Sequence, residues 1–267
     1  MEFQQSPIYA KYIESLGWTI LRIGTVRMFY KHIPVTGGLL KIQRPKTLPD
    51  ITEILRTYRV KTVAIEPHPK ENLGSYKRWC AGVSKHCKVV RSSYQPTKTL
   101  LIDVTAPEDT IFSRFTEAKR RAVRKAVKNG VTVTESDDIK SFIKIKNKSA
   151  GPFGFITTFG IDRFWDIFYP KHATILLTKP LMGGILLVFW NKTAYYWIAG
   201  ATKQGKKLFT PTLLVWEALK TAKRRGMKQF DFVGVWDERK PGEHHDWLGF
   251  TKFKEGFGGK PFYYPMY

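Results

Sequence analysis

The segment Thr105-Ala106-Pro107-Glu108-Asp109-Thr110-Ile111-Phe112-Ser113-Arg114-Phe115, continuing through Thr116-Glu117-Ala118-Lys119-Arg120-Arg121-Ala122-Val123-Arg124-Lys125-Ala126-Val127-Lys128-Asn129-Gly130, decides the fold class. Thr105 supplies an N-cap, Pro107 stands in a first turn that needs no N–H from it, and Glu108 completes a capping box. Apolar residues then recur at Ile111, Phe115, Ala118, Ala122 and Ala126 until Gly130 closes the pattern, so the spacing predicts a helix from Thr105 to Gly130. Residues 99–104 before it and 131–134 after it are short apolar runs that read as strands. Strand, capped helix and strand in succession predict mixed α/β (α+β) architecture.

The same alternation extends in both directions. Toward the N-terminus, residues 18–23, 26–33 and 39–43 read as a meander. A helix over 48–58, a strand over 62–66 ending at Pro67 and a helix over 75–85 follow. Toward the C-terminus the pattern restarts with a helix over 139–148, which places a boundary near residue 145 and predicts a first lobe of residues 1–145 and a second of 146–267. The second lobe carries strands over 174–177, 184–189, 194–199 and 229–233, with a helix from Thr210-Pro211 to Gly226. No short-period repeat and no Gly/Ser-rich linker interrupts the chain.

Hydrophobic residues make up 43% of the 267, which excludes a disordered chain. Lys and Arg number 45 against 22 Asp and Glu, a formal net charge of +23. That excess fits an extended anionic partner or a charged membrane surface, and equally a background of solvated lysine faces. Cys80 and Cys87 have neither redox-pair nor zinc-site spacing, which suits a reducing compartment. The opening Met1-Glu2-Phe3-Gln4-Gln5-Ser6-Pro7 has no basic region before an apolar run, and the longest apolar stretch, within 182–190, is well short of the roughly 20 residues of a bilayer span. A cytoplasmic protein is expected, with any membrane contact peripheral and at the inner face.

Hydrolase, Walker-loop, dinucleotide and zinc-protease signatures are missing. His244-His245 are adjacent and on a strand would point to opposite sides, so no metal is expected. Four blocks stand out instead: Tyr195-Tyr196-Trp197-Ile198-Ala199-Gly200-Ala201-Thr202, Leu213-Leu214-Val215-Trp216-Glu217-Ala218-Leu219-Lys220, Asp231-Phe232-Val233-Gly234, and Gly249-Phe250-Thr251-Lys252-Phe253-Lys254-Glu255-Gly256-Phe257-Gly258-Gly259. In this order, together with Pro96-Thr97-Lys98-Thr99-Leu100-Leu101-Ile102-Asp103 and the basic stretch ending at Val131, they resemble the Fem family of peptidoglycan-bridge aminoacyltransferases. The resemblance implies two lobes similar to the GNAT acetyltransferase fold. It also implies transfer of an amino acid from aminoacyl-tRNA to an amine of a UDP-linked or lipid-linked peptidoglycan precursor, with no cofactor beyond that co-substrate. Both substrates are polyanions, in keeping with the charge.

By that resemblance Lys254 is the candidate stabiliser of the tetrahedral oxyanion, and the Phe253 carbonyl orients the acceptor amine. Without it, Lys254 reads as one more surface lysine. Asp103, at the end of its strand, either holds or deprotonates the acceptor amine or caps a helix N-terminus near Thr105, and Asp231 carries the same ambiguity. Arg121, Arg124 and Lys128 share a helix face by i, i+3, i+7 spacing and either contact phosphates or are solvated. Tyr196 and Trp197 are adjacent on a strand, so at most one lines a substrate groove. Lys11 is a further candidate phosphate ligand. An acyl-CoA-dependent N-acyltransferase and a non-catalytic basic RNA- or membrane-binding module are the rival functions. The stretch Gln204-Gly205-Lys206-Lys207-Leu208-Phe209-Thr210 lacks the glycine pair with which a CoA loop cradles pyrophosphate.

Overall fold

The computed structural model describes residues 2–90, 96–151 and 158–266. Two units emerge, one of residues 1–97 with 263–267 and one of residues 98–262.

In the first unit, α1 (Pro7–Ser15) is capped by Ser6, whose side chain accepts from the Tyr9 N–H. Strands β1 (Thr19–Ile23), β2 (Val26–Ile33) and β3 (Gly37–Gln43) form the expected antiparallel meander. Helix α2 (Thr52–Thr57) then leads to β4 (Val60–Glu66), and α3 (Leu73–Ser84) to β5 (Lys88–Val90). Both crossovers return parallel to the preceding strand, giving the order β1-β2-β3-β4-β5 among the described residues. Tyr76, Cys80 and Val83, spaced i, i+4, i+7 on α3, close the core over Met28, Leu40, Ile42 and Val63. Helix α2 is much shorter than the 48–58 expected. Before it, the Asp50 carboxylate accepts from both the N–H and the hydroxyl of Thr52, and the Pro49 carbonyl accepts from the Trp79 indole. The chain is thereby held out of the helix until Thr52.

The second unit opens with β6 (Lys98–Asp103), α4 (Glu108–Ser113), α5 (Glu117–Lys128), β7 (Thr132–Ser136) and α6 (Ile139–Ala150). It continues through α7 (Ile161–Phe168), β8 (Ala173–Lys179), β9 (Gly183–Trp190), β10 (Thr193–Ala201), α8 (Lys203–Lys207) and α9 (Thr210–Arg224). It ends with β11 (Gln229–Asp231), α10 (Leu248–Glu255) and β12 (Lys260–Tyr263). Its strands are ordered β12-β6-β11-β10-β9-β8-β7. Strand β6 pairs antiparallel with β11, and β7 with β8, so residues 98–145 are built into the second sheet. The division therefore falls at Thr97/Lys98 and not near residue 145. The restart of the local pattern was real, but the strand pairings that assign those residues to a sheet join partners far apart in sequence.

The helix expected over 105–130 is broken. Pro107, without a side-chain cap bond, begins α4, while Thr105 donates its hydroxyl back to Asp103. The break at 114–116 lets Phe115 turn into the core, where its ring meets Phe112, Trp216 and Phe257 at 5.3, 5.6 and 5.0 Å. The Thr116 N–H donates to the Gly256 carbonyl, and the Arg120 guanidinium donates to the carbonyls of Ser113 and Phe115. These bonds replace the helical ones lost at the kink. Gly130, at φ +74°, ends α5 as expected. Leu214, Val215, Ala218, Leu219 and Ala222 of α9 fill the core against β9, β10 and β11.

Candidate active site

The site begins where two parallel strands part. β10 and β11 pair only from Thr193↔Gln229 to Tyr195↔Asp231, after which β11 ends while β10 runs on to Ala201. A register shift between Tyr196 and Ile198 marks a bulge at Trp197. Trp197 stacks on Phe164 at 5.7 Å, whereas Tyr196 lines a cavity of about 510 Å³. The tyrosine is thus the one of the pair that faces the groove.

Ile185 and Ala199 contribute to the cavity floor, Phe209 and Thr212 at the start of α9 to one wall, and Phe250 and Phe253 of α10 to another. Gly200 also lines it. A Cβ there would lie 3.0 Å from the Lys146 Cα, so the close approach of α6 requires a residue with no side chain.

Lys254 occupies the gap left by the parted strands. It is 8% exposed, so the surface-lysine reading is overturned. Its Nζ donates to the Phe232 carbonyl at 2.8 Å and the Gly234 carbonyl at 2.6 Å. Between these residues Val233 has φ +65°, a left-handed conformation costly for a β-branched residue. It sits between the two carbonyls that converge on the lysine. Nζ also lies 4.7 Å from the Phe250 ring centre and 5.5 Å from that of Tyr196, both in the cavity wall. The third N–H has no hydrogen-bond partner among the described residues. Burial pushes the ammonium down to about 8, and the Asp231 carboxylate pulls the other way. Asp231 is buried, accepting from the Thr99 hydroxyl and the Val233 N–H.

This lowered value predicts a slope in stability. An unfolded lysine holds its proton up to its ordinary 10.5, and the folded one releases it near 8. Between those values the unfolded chain binds more protons, so Lys254 makes stability rise with pH from about 8 to 10.5. Melting temperatures across that window should rise more steeply in wild type than in Lys254→Met, where the similarly lowered Lys119 still contributes.

The other candidates are dispersed. Phe253 lines the cavity, and Lys119 lies 3.8 Å over its ring with its own ammonium pushed down to about 8 by burial. Lys119 was not singled out from sequence, because nothing local ties α5 to α10. Lys206, likewise missed as a wall residue, lines the cavity too. Asp103 closes a local turn onto Thr105 and caps no helix, since the N-cap of α4 is Pro107 without a side-chain bond. It is exposed, and its carboxylate accepts from the Thr105 N–H at 2.9 Å and hydroxyl at 2.6 Å, which holds it below the ordinary carboxylate range. It pairs with Gln229, which pairs with Thr193, the end of β10 away from Ala199 and Gly200. A catalytic role for Asp103 beside Lys254 is therefore corrected. Arg121, Arg124 and Lys128 are exposed along α5 as the spacing required. Lys11 is exposed on α1 of the first unit and does not line the cavity. Among the described residues, no cluster of His, Cys, Asp and Glu could hold a metal, and no helix is long and apolar enough to cross a membrane.

Residues 177–264, which contain β9, β10, α9, the Val233 turn and Lys254, match the model of the FemAB family. Over that segment, about a third of its length, the chain is similar to the FemAB family. No curated protein matches it significantly. Among solved structures, FemX is similar with a TM-score of 0.78 at 16% identity, over 98% of this chain and 90% of that one. The C-terminal domain of a protein assigned as a lysylphosphatidylglycerol synthetase from Agrobacterium fabrum follows at 0.66 and 12% identity, over 98% and 87%. A tandem GNAT protein from the clavulanic acid biosynthesis pathway gives 0.50 at 10%, over 91% and 78%. At such identities the likeness is one of fold, and it agrees with the expected two-sheet, GNAT-like architecture.

Proposed function

We propose that this chain, similar to the FemAB family over residues 177–264, moves an aminoacyl group from aminoacyl-tRNA to an amine on the stem peptide of a peptidoglycan precursor. The observation that carries the proposal is Lys254, a buried cation with one uncommitted N–H beside a cavity walled by Phe253, Phe250 and Tyr196. In this reaction the amine nitrogen bonds to the ester carbon, the bond from that carbon to the ribose oxygen breaks, and one proton passes from the amine to that oxygen. A tetrahedral oxyanion forms on the way. A desolvated ammonium already held by two carbonyls can donate its third N–H to that oxygen with little reorganisation. The Phe253 carbonyl is the proposed guide for the attacking amine.

The CoA reading has less support. The backbone where a pyrophosphate cradle would lie is coiled into α8, with the Gly205 N–H donating to the Thr202 hydroxyl and the Lys206 N–H to the Thr202 carbonyl. Incubation with mixed aminoacyl-tRNAs and UDP- or lipid-linked precursor should yield an extended stem peptide. Acetyl-CoA with the same acceptors should yield nothing, and the opposite pattern would overturn the proposal.

The exposed face of α5 is the proposed contact for the phosphates of these substrates. Replacing Arg121, Arg124 and Lys128 together by alanine should weaken tRNA or precursor binding and lower the slope of log K against log salt by roughly 2 to 3, as fewer counterions are released. Filter binding at several salt concentrations measures both, and an unchanged slope would return the helix to a solvated face.

A further inference from the structure

Beyond Phe250, Trp247 and His244 carry the aromatic wall of the site outward. Trp247, Phe250 and Lys254 fall at i, i+3 and i+7 along the turn His245–Trp247 and helix α10, and so share a face. Their groups form a ladder. The Phe250 ring centre lies 4.7 Å from the Lys254 Nζ, Trp247 lies 5.3 Å beyond Phe250, and His244 stacks 4.4 Å beyond Trp247. Phe250 is 37% exposed, and Gly249 beside it lines the cavity mouth. A Cβ at Gly249 would meet nothing within 4 Å, so the surface next to Phe250 is open. A row of exposed Phe250 and half-buried Trp247 leads outward from a buried cation, and a helix glycine facing open space costs stability, about 1 kcal/mol relative to alanine.

We infer that Phe250 and Trp247 form the stacking platform for the terminal adenosine of the aminoacyl-tRNA. The inference rests on the proposed function, since Lys254 marks where the ester carbonyl must lie. The nucleoside bonded directly to that ester carries its base only about one ribose away, and the open flank of Phe250, continued by Trp247, is an aromatic surface within that reach. Stacking suits the task because every base has a π face. Lys206, which also lines the cavity, supplies positive charge for the attached phosphate. The uracil of a UDP-linked precursor fits less well. A sugar and several peptide residues separate it from the amine that reacts, so with the amine at Lys254 the uracil lies far beyond this ladder.

The trinucleotide CCA, titrated by calorimetry or ligand-observed NMR, tests the platform without any turnover. Trp247→Leu fills the volume but offers no π face, and should weaken CCA binding by roughly 5-fold to 100-fold. Trp247→Phe should stay within a few-fold of wild type, and UDP should not compete. In transfer assays Trp247→Leu should raise KM for aminoacyl-tRNA more than it lowers kcat. Failure of wild type to bind CCA, equal binding by Trp247→Leu and wild type, or displacement of CCA by UDP would each overturn the inference. CCA binding that depends on Trp247 in a protein that transfers nothing would instead sink the proposed function and leave the platform standing.

Discussion

Lys254→Ala should lower the single-turnover rate of aminoacyl transfer by roughly 100-fold to 1000-fold, the loss typical of one oxyanion donor, while leaving the affinity for either substrate nearly unchanged. The substitution also strips the carbonyls of Phe232 and Gly234 of their donor. Buried carbonyls without partners cost about 1–3 kcal/mol, so a lower melting temperature is expected as well. The two effects separate by comparison with Lys254→Met, which restores most of the buried volume but no N–H. Melting should recover in part, and the rate should not. Lys254→Arg should rescue poorly, because a planar fork must fit where a compact ammonium now meets two carbonyls and two aromatic rings. A charged Lys254 is the active form, so the rate should fall as pH rises through about 8. Near-normal transfer by folded Lys254→Ala protein would reduce the lysine to a strut for the Val233 turn.

Much of the fold was legible because its signals are local. The meander Thr19–Gln43, the helix opening at Thr210-Pro211 and the closure of α5 at Gly130 all follow from alternation, proline placement and glycine at positive φ. What was not legible depends on partners distant in sequence. Nothing within 105–130 announces that the Gly256 carbonyl will hold the Thr116 N–H and let Phe115 break the helix. Nor does periodicity reveal that β6 will pair with β11, which moved the division to Thr97/Lys98. The site divides the same way. The Phe253-Lys254 block could be found by resemblance, whereas the burial of Lys254 depends on tertiary packing that the sequence does not show. Asp103 had two local readings, and its bonds to Thr105 form a turn ahead of α4 that caps no helix. Lys206 reaches the cavity, and Lys119 the ring of Phe253, only through tertiary packing.

Asp231 is the residue whose loss should come next to that of Lys254 in effect. It sits at the last paired position of β11, the point where the strands part. Its carboxylate accepts from the Thr99 hydroxyl on β6 and from the Val233 N–H, and so binds the neighbouring strand and the turn that feeds two carbonyls to Lys254. Its charge also raises the Lys254 pKa against burial. Asp231→Ala leaves a buried hydroxyl and a backbone N–H without their acceptor, and should cost about 2–4 kcal/mol, with activity falling as the turn loosens. Asp231→Asn is the sharper experiment, since its side-chain oxygen can still accept both bonds while the negative charge is gone. Stability should drop less than in the alanine variant. The Lys254 pKa should move below about 8, because the one contribution opposing desolvation has been removed. The alkaline limb of the rate profile should then shift to lower pH, with the plateau on its acid side retained. Rate profiles of wild type and Asp231→Asn measured from pH 5 to 9, beside chemical denaturation of all three proteins, check both halves. An alkaline limb that stays in place would mean that Asp231 acts on Lys254 only by shaping the backbone around it.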